Sequence, residues 1–110
     1  MTIISTNELK QRIDSGIPTV LVEALPRRHF DLGHLPGAIN IPHDEISARA
    51  GADLPDKDAP IVVYCASRQC RNSEVAAGTL EAMGYRQVYQ YVDGKQDWQD
   101  SGYPLEGADR

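Results

Sequence analysis

Short apolar segments rich in β-branched residues alternate with segments of helical spacing along this whole chain, and that order restricts it to α/β folds. Ile3 and Ile4 read as a first strand. Ser5 with Glu8 three residues later is a capping-box signature for a helix whose apolar side holds Leu9 and Ile13 and which Gly16 ends. Thr19 to Glu23 is the next strand candidate, Pro26 opens a short helical turn through Phe30, and Gly33 to Gly37 is a loop before a strand at Ala38 to Ile41. Asp44 to Ala50 reads as a brief helix, and Gly51 to Pro60, rich in Asp and Pro, as a connecting loop. After the run Ile61 to Cys65, the residues Val75, Ala76, Thr79, Leu80 and Met83 recur at helical spacing, with Gly84 as a stop. Val88 to Val92 is a last strand, Asp93 and Gly94 turn the chain, and Lys95 to Ser101 is a final short helix carrying Trp98. Such an alternation predicts a parallel sheet covered on both faces, with ligands bound beyond the carboxyl ends of the strands.

Cys65 stands at one of those ends. It closes an apolar run and precedes a polar, Arg-bearing loop (Ala66, Ser67, Arg68, Gln69, Cys70, Arg71), and a helix pattern starts near Asn72 and Ser73. A thiol between a strand end and a helix start is surrounded by N–H groups without intrahelical partners, which stabilise its ionised form and attract anions. The thiolate is the reactive species, and its ordinary pKa of about 8.5 must be lowered by such donors or by cations to populate it at neutral pH. Arg68 and Arg71 are candidate cations, able to orient an oxyanion through paired donors. The expectation is therefore an exposed, ionised Cys65 ringed by main-chain donors and acting on an anionic substrate.

The 110 residues correspond to one domain, 1–110, with 41% hydrophobic and 25% charged residues, both ordinary for a globular protein. Eleven basic against sixteen acidic residues give a net charge of −5, which argues against non-specific binding to nucleic acid or to anionic membranes. No apolar stretch approaches the roughly 20 residues that span a bilayer, and Met1 to Ser5 lack the pattern of a signal peptide, so a cytoplasmic location is expected. Two cysteines five positions apart suit a reducing compartment better than a disulfide framework, and with three scattered histidines they form no metal-ligand spacing.

At the level of motifs, Phe30-Asp31-Leu32-Gly33-His34-Leu35-Pro36-Gly37-Ala38-Ile39-Asn40-Ile41-Pro42 resembles the GHxPGAxNxP segment of rhodanese-like domains. Ile61-Val62-Val63-Tyr64-Cys65 resembles the strand that delivers their catalytic cysteine, and Gly94-Lys95-Gln96-Asp97-Trp98 through Gly102-Tyr103-Pro104-Leu105 is similar to their GGxxxW...GxP ending. The resemblance covers nearly the whole chain in the family's order. It implies a rhodanese-like three-layer α/β/α fold with a central, mostly parallel sheet, and a sulfurtransferase. In that family the cysteine thiolate takes a sulfane sulfur from thiosulfate or a persulfide donor and passes it to a thiophilic acceptor. Carried onto this chain, Cys65 is the nucleophile, and the amides of Ala66, Ser67, Arg68, Gln69, Cys70 and Arg71 form the substrate cradle that stabilises the persulfide. The partners expected are a small anionic sulfur donor and a thiol or cyanide acceptor, with no metal or organic cofactor; the oligomeric state is not specified. Covalent storage of sulfur implies ping-pong kinetics.

Two departures from the family pattern stand out. Its loop usually runs CxxGxRS, whereas matching Asn72-Ser73 to the Arg-Ser pair makes this loop two residues longer and leaves it without glycine. An Asp-x-Arg pattern often follows the second strand, but Glu23-Ala24-Leu25 stands here, so the contacts of the missing arginine must be replaced or absent. The stretch Cys65 to Arg71 also counts as Cx5R, the phosphate cradle of cysteine-dependent phosphatases and related arsenate reductases, in which a thiolate and an arginine fork hold a tetrahedral oxyanion. Against that reading, Tyr64 and Asn72 occupy positions where those enzymes usually have His and Ser or Thr, and the loop offers no acid for a leaving alkoxide. A non-catalytic binding or regulatory module is the third reading, against which the retained cysteine argues. Cys70 is read as a plain thiol, a resolving partner of Cys65 or a second sulfur carrier. His34 is expected to fix its loop by hydrogen bonding, and Trp98, Tyr89 and Tyr91 to serve packing.

Overall fold

A computed structural model of the chain describes residues 1–107. Strands β1 (Thr2–Ile3), β2 (Val20–Glu23), β3 (Ile39–Asn40), β4 (Ile61–Tyr64) and β5 (Val88–Tyr91) form one sheet in the order β1-β5-β4-β2-β3, and every strand pair is parallel. Helices α1 (Thr6–Asp14), α2 (Arg27–Asp31), α3 (Ile46–Asp53) and α4 (Asn72–Ala82) lie in the crossovers that parallel pairing demands, and α5 (Gly94–Asp100) follows the last strand. The expected α/β architecture with a parallel central sheet is what is observed.

The middle strand explains the layering. Successive side chains of a strand point to opposite faces, so Ile61 and Val63 of β4 enter one core while Val62 and Tyr64 enter the other. The first core packs them against Ile46 and Ala50 of α3 and Ala76, Ala77 and Leu80 of α4. The second packs them against Leu9 of α1 and Trp98 of α5, with Tyr91 from β5. All four residues of β4 are buried, as a strand covered on both faces must be. Tyr91 and Trp98 are thus core residues, as the sequence implied.

Local signals account for most boundaries. Ser5 caps α1 through its side chain, accepting from Glu8 N–H at 3.1 Å, while the Glu8 carboxylate accepts from Ser5 N–H at 2.9 Å. Several ends shift by a residue, β1 being Thr2–Ile3 and β3 Ile39–Asn40, and one segment departs further. Residues 51 to 53 continue α3 rather than opening the connecting loop, and the segment before it starts as a 3₁₀ turn, His43–Glu45. Arg49 pairs with both Glu45 and Asp53 at (i, i+4) spacing, and Leu54 N–H reaches Ala50 carbonyl at 2.7 Å, which carries the helix past Gly51. The strand ends at Tyr64, so Cys65 is the first residue beyond the sheet. Among the described residues, no helix is long and apolar enough to cross a membrane.

Candidate active site

β4 lies between β5 and β2, with Tyr64 in register with Tyr91 and Glu23, so its carboxyl end opens at the centre of the sheet edge. Cys65 leaves from there. The chain then makes a turn in which Cys70 N–H donates to Ser67 carbonyl at 3.1 Å, and it enters α4 at Asn72. The turn brings residue 70 back over residue 65.

The Cys65 thiol is not exposed and ionised as the sequence suggested. The residue is 1% exposed, and its Sγ donates to the Cys70 carbonyl at 3.4 Å. Burial pushes the thiol up to about 11, with the Cys70 side chain hydrogen-bonding it in the same direction; the hydroxyl and N–H of Ser73 act oppositely but do not prevail. Burial is the larger effect, and the Cys70 carbonyl that accepts from the thiol stabilises S–H rather than S⁻. Ser73 is nonetheless the residue at the start of α4 whose donors address the sulfur, and it is itself buried, with its Oγ accepting from Gln90 Nε2 of β5 at 3.1 Å.

This sets a pH dependence with a definite sign. A thiol at about 11 is protonated throughout the neutral range, so the nucleophilic fraction grows with pH. Peptide-resolved iodoacetamide labelling of Cys65 in the free protein is expected to accelerate by about tenfold per pH unit from neutrality upward without levelling off below pH 10. A plateau near pH 8 would show that the free protein already holds the thiolate.

Neither arginine of the loop is turned to the sulfur. Arg68 pairs with Asp93, and the Arg71 Nε donates to Glu74 Oε1 at 2.6 Å, with side chains 71% and 77% exposed. Two carboxylates satisfy these guanidiniums at the surface, so Cys65 and Arg71 do not form an oxyanion cradle here. Beside the loop is a hollow of about 190 Å³, where Ser67, Arg68 and Gln69 face Asp93, Asp97 and Asp100. One guanidinium against three carboxylates makes this hollow a poor seat for a free anion.

The floor of the site is held by α5. Its first amides donate to the loop, Lys95 N–H to Cys65 carbonyl at 3.0 Å and Gln96 N–H to Ala66 carbonyl at 2.8 Å. Gly94 makes that approach possible: its φ is +74°, and a Cβ there would lie 2.8 to 2.9 Å from the backbone of Cys65, Ala66 and Ser67. Lys95 then reaches under the site. Its Nζ bonds Glu23 Oε2 at 3.0 Å and the carbonyls of His29 and Gly33 at 3.0 and 2.6 Å. Glu23 is fully buried, and its other oxygen accepts from Tyr64 hydroxyl at 2.8 Å. Burial and the Glu23 carboxylate together raise the Tyr64 pKa, keeping the phenol a donor. Where the family pattern has its Asp-x-Arg, Glu23 is paired with a lysine from the other end of the chain. Sequence reasoning passed over Lys95, Gln90 and the constraint on Gly94; a glutamate ending a buried strand was the available signal, since a buried carboxylate requires a partner.

His34 fixes its loop as expected, with Nδ1 3.1 Å from Phe30 carbonyl and its ring stacked on Phe30 at 3.8 Å between centroids.

Comparison with known proteins follows the same outline. A profile described as "Rhodanese-like domain" matches residues 5–101. The HTH-type transcriptional regulator Rv0324 of Mycobacterium tuberculosis is 37% identical over 106 residues, covering 96% of this chain and 45% of that protein. The putative sulfur carrier protein YrkF of Bacillus subtilis is 30% identical over 95 residues, covering 86% of this chain and 49% of its own length. The chain thus spans about half the length of these curated relatives. The solution structure of the rhodanese-like domain from the Anabaena sp. protein Alr3790 superposes with a TM-score of 0.86 at 27% identity, covering 97% of this chain and 80% of that one.

Proposed function

This chain belongs to the rhodanese-like domain family, and from that premise we propose that it is a sulfurtransferase which takes a sulfane sulfur onto Cys65 and hands it to a thiophilic acceptor. The observation that carries the reading is the place of Cys65: the first residue beyond the central strand of a parallel sheet, facing Ser73 at the start of α4. The donor is thiosulfate or a persulfide, the acceptor cyanide or a thiol, and no resident cofactor is required. Two free thiols fit a reducing, cytoplasmic setting.

As held, the thiol is neutral, so turnover requires the Cys70 carbonyl to leave the sulfur. The loop from Ala66 to Arg71 then turns its amides inward, and the N–H and hydroxyl of Ser73 take up the charge of the thiolate and of the persulfide that follows. Attack on the donor's sulfane sulfur forms the Cys65 Sγ–S bond as the donor's S–S bond breaks and sulfite or a thiol leaves. The acceptor then removes the outer sulfur and returns the thiolate. Gln90 fits the Ser73 role, because a donor bond into Ser73 Oγ leaves that hydroxyl's proton for Cys65.

The test is steady-state turnover with thiosulfate and cyanide, with a phosphate ester and arsenate assayed alongside. Thiocyanate formation with parallel-line, ping-pong patterns is expected. Hydrolysis of the ester without thiocyanate formation would reverse the assignment in favour of Cx5R chemistry, which the outward turn of Arg71 toward Glu74 disfavours. One observation favours a second reading: a thiol this deeply buried suits a non-catalytic module, for which replacement of Cys65 would leave the biological effect intact.

A further inference from the structure

Both cysteines of the chain lie in one loop, and the structure holds them together rather than apart. The turn closed by Cys70 N–H and Ser67 carbonyl folds residue 70 back, placing its carbonyl 3.4 Å from Cys65 Sγ and so putting the two cysteines side by side in the loop. The two differ in access. Cys65 is buried, whereas Cys70 is partly open to solvent. A sulfur stored on Cys65 therefore has one thiol already beside it, while any external thiol must first enter the loop. A thiol so placed competes at a high effective concentration against dissolved acceptors.

We propose that Cys70 is the resolving thiol of the Cys65 persulfide, so that the site, in the absence of a better acceptor, converts sulfane sulfur to sulfide and closes a Cys65–Cys70 disulfide. The inference rests on the sulfurtransferase reading for the loading of Cys65. Cys70 Sγ, as thiolate, attacks Cys65 Sγ; the bond from Cys65 Sγ to the outer sulfur breaks, and that sulfur leaves as HS⁻ with both electrons of the bond. The outer sulfur is reduced by two electrons and the two cysteine sulfurs are oxidised by two, with the Cys70 proton passing to solvent. No separate oxidant enters. A low-molecular-weight thiol or a dithiol protein reopens the disulfide from the Cys70 side, which is the accessible sulfur, and this makes a dithiol reductant the partner class that the site consumes.

The loop's extra length fits this role, since it leaves room for the Ser67–Cys70 turn that brings the second cysteine back to the first. Cys70 is also outside the sheet and both cores, so its replacement leaves the fold alone.

The experiment compares the parent chain with Cys70→Ser after anaerobic loading with thiosulfate or, in parallel, inorganic polysulfide, followed by removal of the excess. Released sulfide is quantified and the chain is mapped by mass spectrometry without reductant. The parent is expected to release stoichiometric sulfide and carry a Cys65–Cys70 disulfide. Cys70→Ser is expected to keep the added sulfur on Cys65 and release sulfide only when a thiol is supplied. Stable persulfide on both chains, or equal sulfide release from both, would overturn the resolving role while leaving the sulfurtransferase reading in place. Failure of both donors to load either chain would overturn the two together.

Discussion

Cys65→Ser is expected to abolish sulfur transfer, lowering kcat/KM by about 10³-fold or more, because a serine hydroxyl at neutral pH neither displaces sulfite from thiosulfate nor stores a sulfane sulfur. The same change is expected to leave the fold standing. A hydroxyl fits the space of the thiol and still has the Cys70 carbonyl as acceptor, so the buried group stays satisfied and the stability falls by no more than about 2 kcal/mol in urea unfolding. Activity and stability thus separate. A variant that loses transfer only in proportion to lost folded protein would assign Cys65 to packing, and one that retains transfer would remove the nucleophile from the account.

The second large effect concerns what lies under the site. Lys95→Met is expected to destabilise the protein by about 3–5 kcal/mol, the range for removing one partner of a buried pair. The lysine side chain is 13% exposed and its glutamate 0%, so Glu23 would be left with Tyr64 as its hydrogen-bond donor, and the carbonyls of His29 and Gly33 would lose theirs. Adding Glu23→Gln removes the stranded charge while an amide oxygen still accepts from Tyr64. The double variant is therefore expected to be more stable than Lys95→Met alone, a coupling that a double-mutant cycle in denaturant measures directly. A Lys95→Met cost below about 1 kcal/mol would make the pair an ordinary surface contact. The cluster spans the chain from β2 to α5, and Lys95 itself carries the amide that holds Cys65, next to the Gln96 amide that holds Ala66, so its loss is also expected to loosen the loop.

These two outcomes mark the boundary of what could be read from residues in order. Ser5 and Glu8, three positions apart, make a local bond whose partners are both visible in the sequence, and α1 begins where they say. The helix after the loop and the parallel sheet were legible for the same reason, as periodic patterns repeated over many positions. The end of α3 was not, because Gly51 signals a break while the Arg49 pairs that override it depend on a helix already being present. Lys95 and Glu23 are 72 positions apart and meet only because α5 docks beneath the end of β2 and β4. The state of the thiol was the least legible of all. The position of Cys65 follows from the pattern, but its charge depends first on how deeply the folded loop buries it and then on what faces the sulfur, where the Ser67–Cys70 turn presents a carbonyl. Arg68 and Arg71 were counted as cations for the site, yet Asp93 and Glu74, one distant and one adjacent on α4, draw them to the surface.

The family assignment does not depend on these details, whereas the chemistry does, and it comes down to whether sulfur is held covalently at one position. The direct measurement is residue-resolved mass spectrometry of the Cys70→Ser chain after brief exposure to thiosulfate, with and without subsequent cyanide. A single added sulfur atom on the peptide that contains Cys65, removed by cyanide, is the predicted result; an unmodified Cys65 in a chain that nevertheless turns over thiosulfate would contradict it.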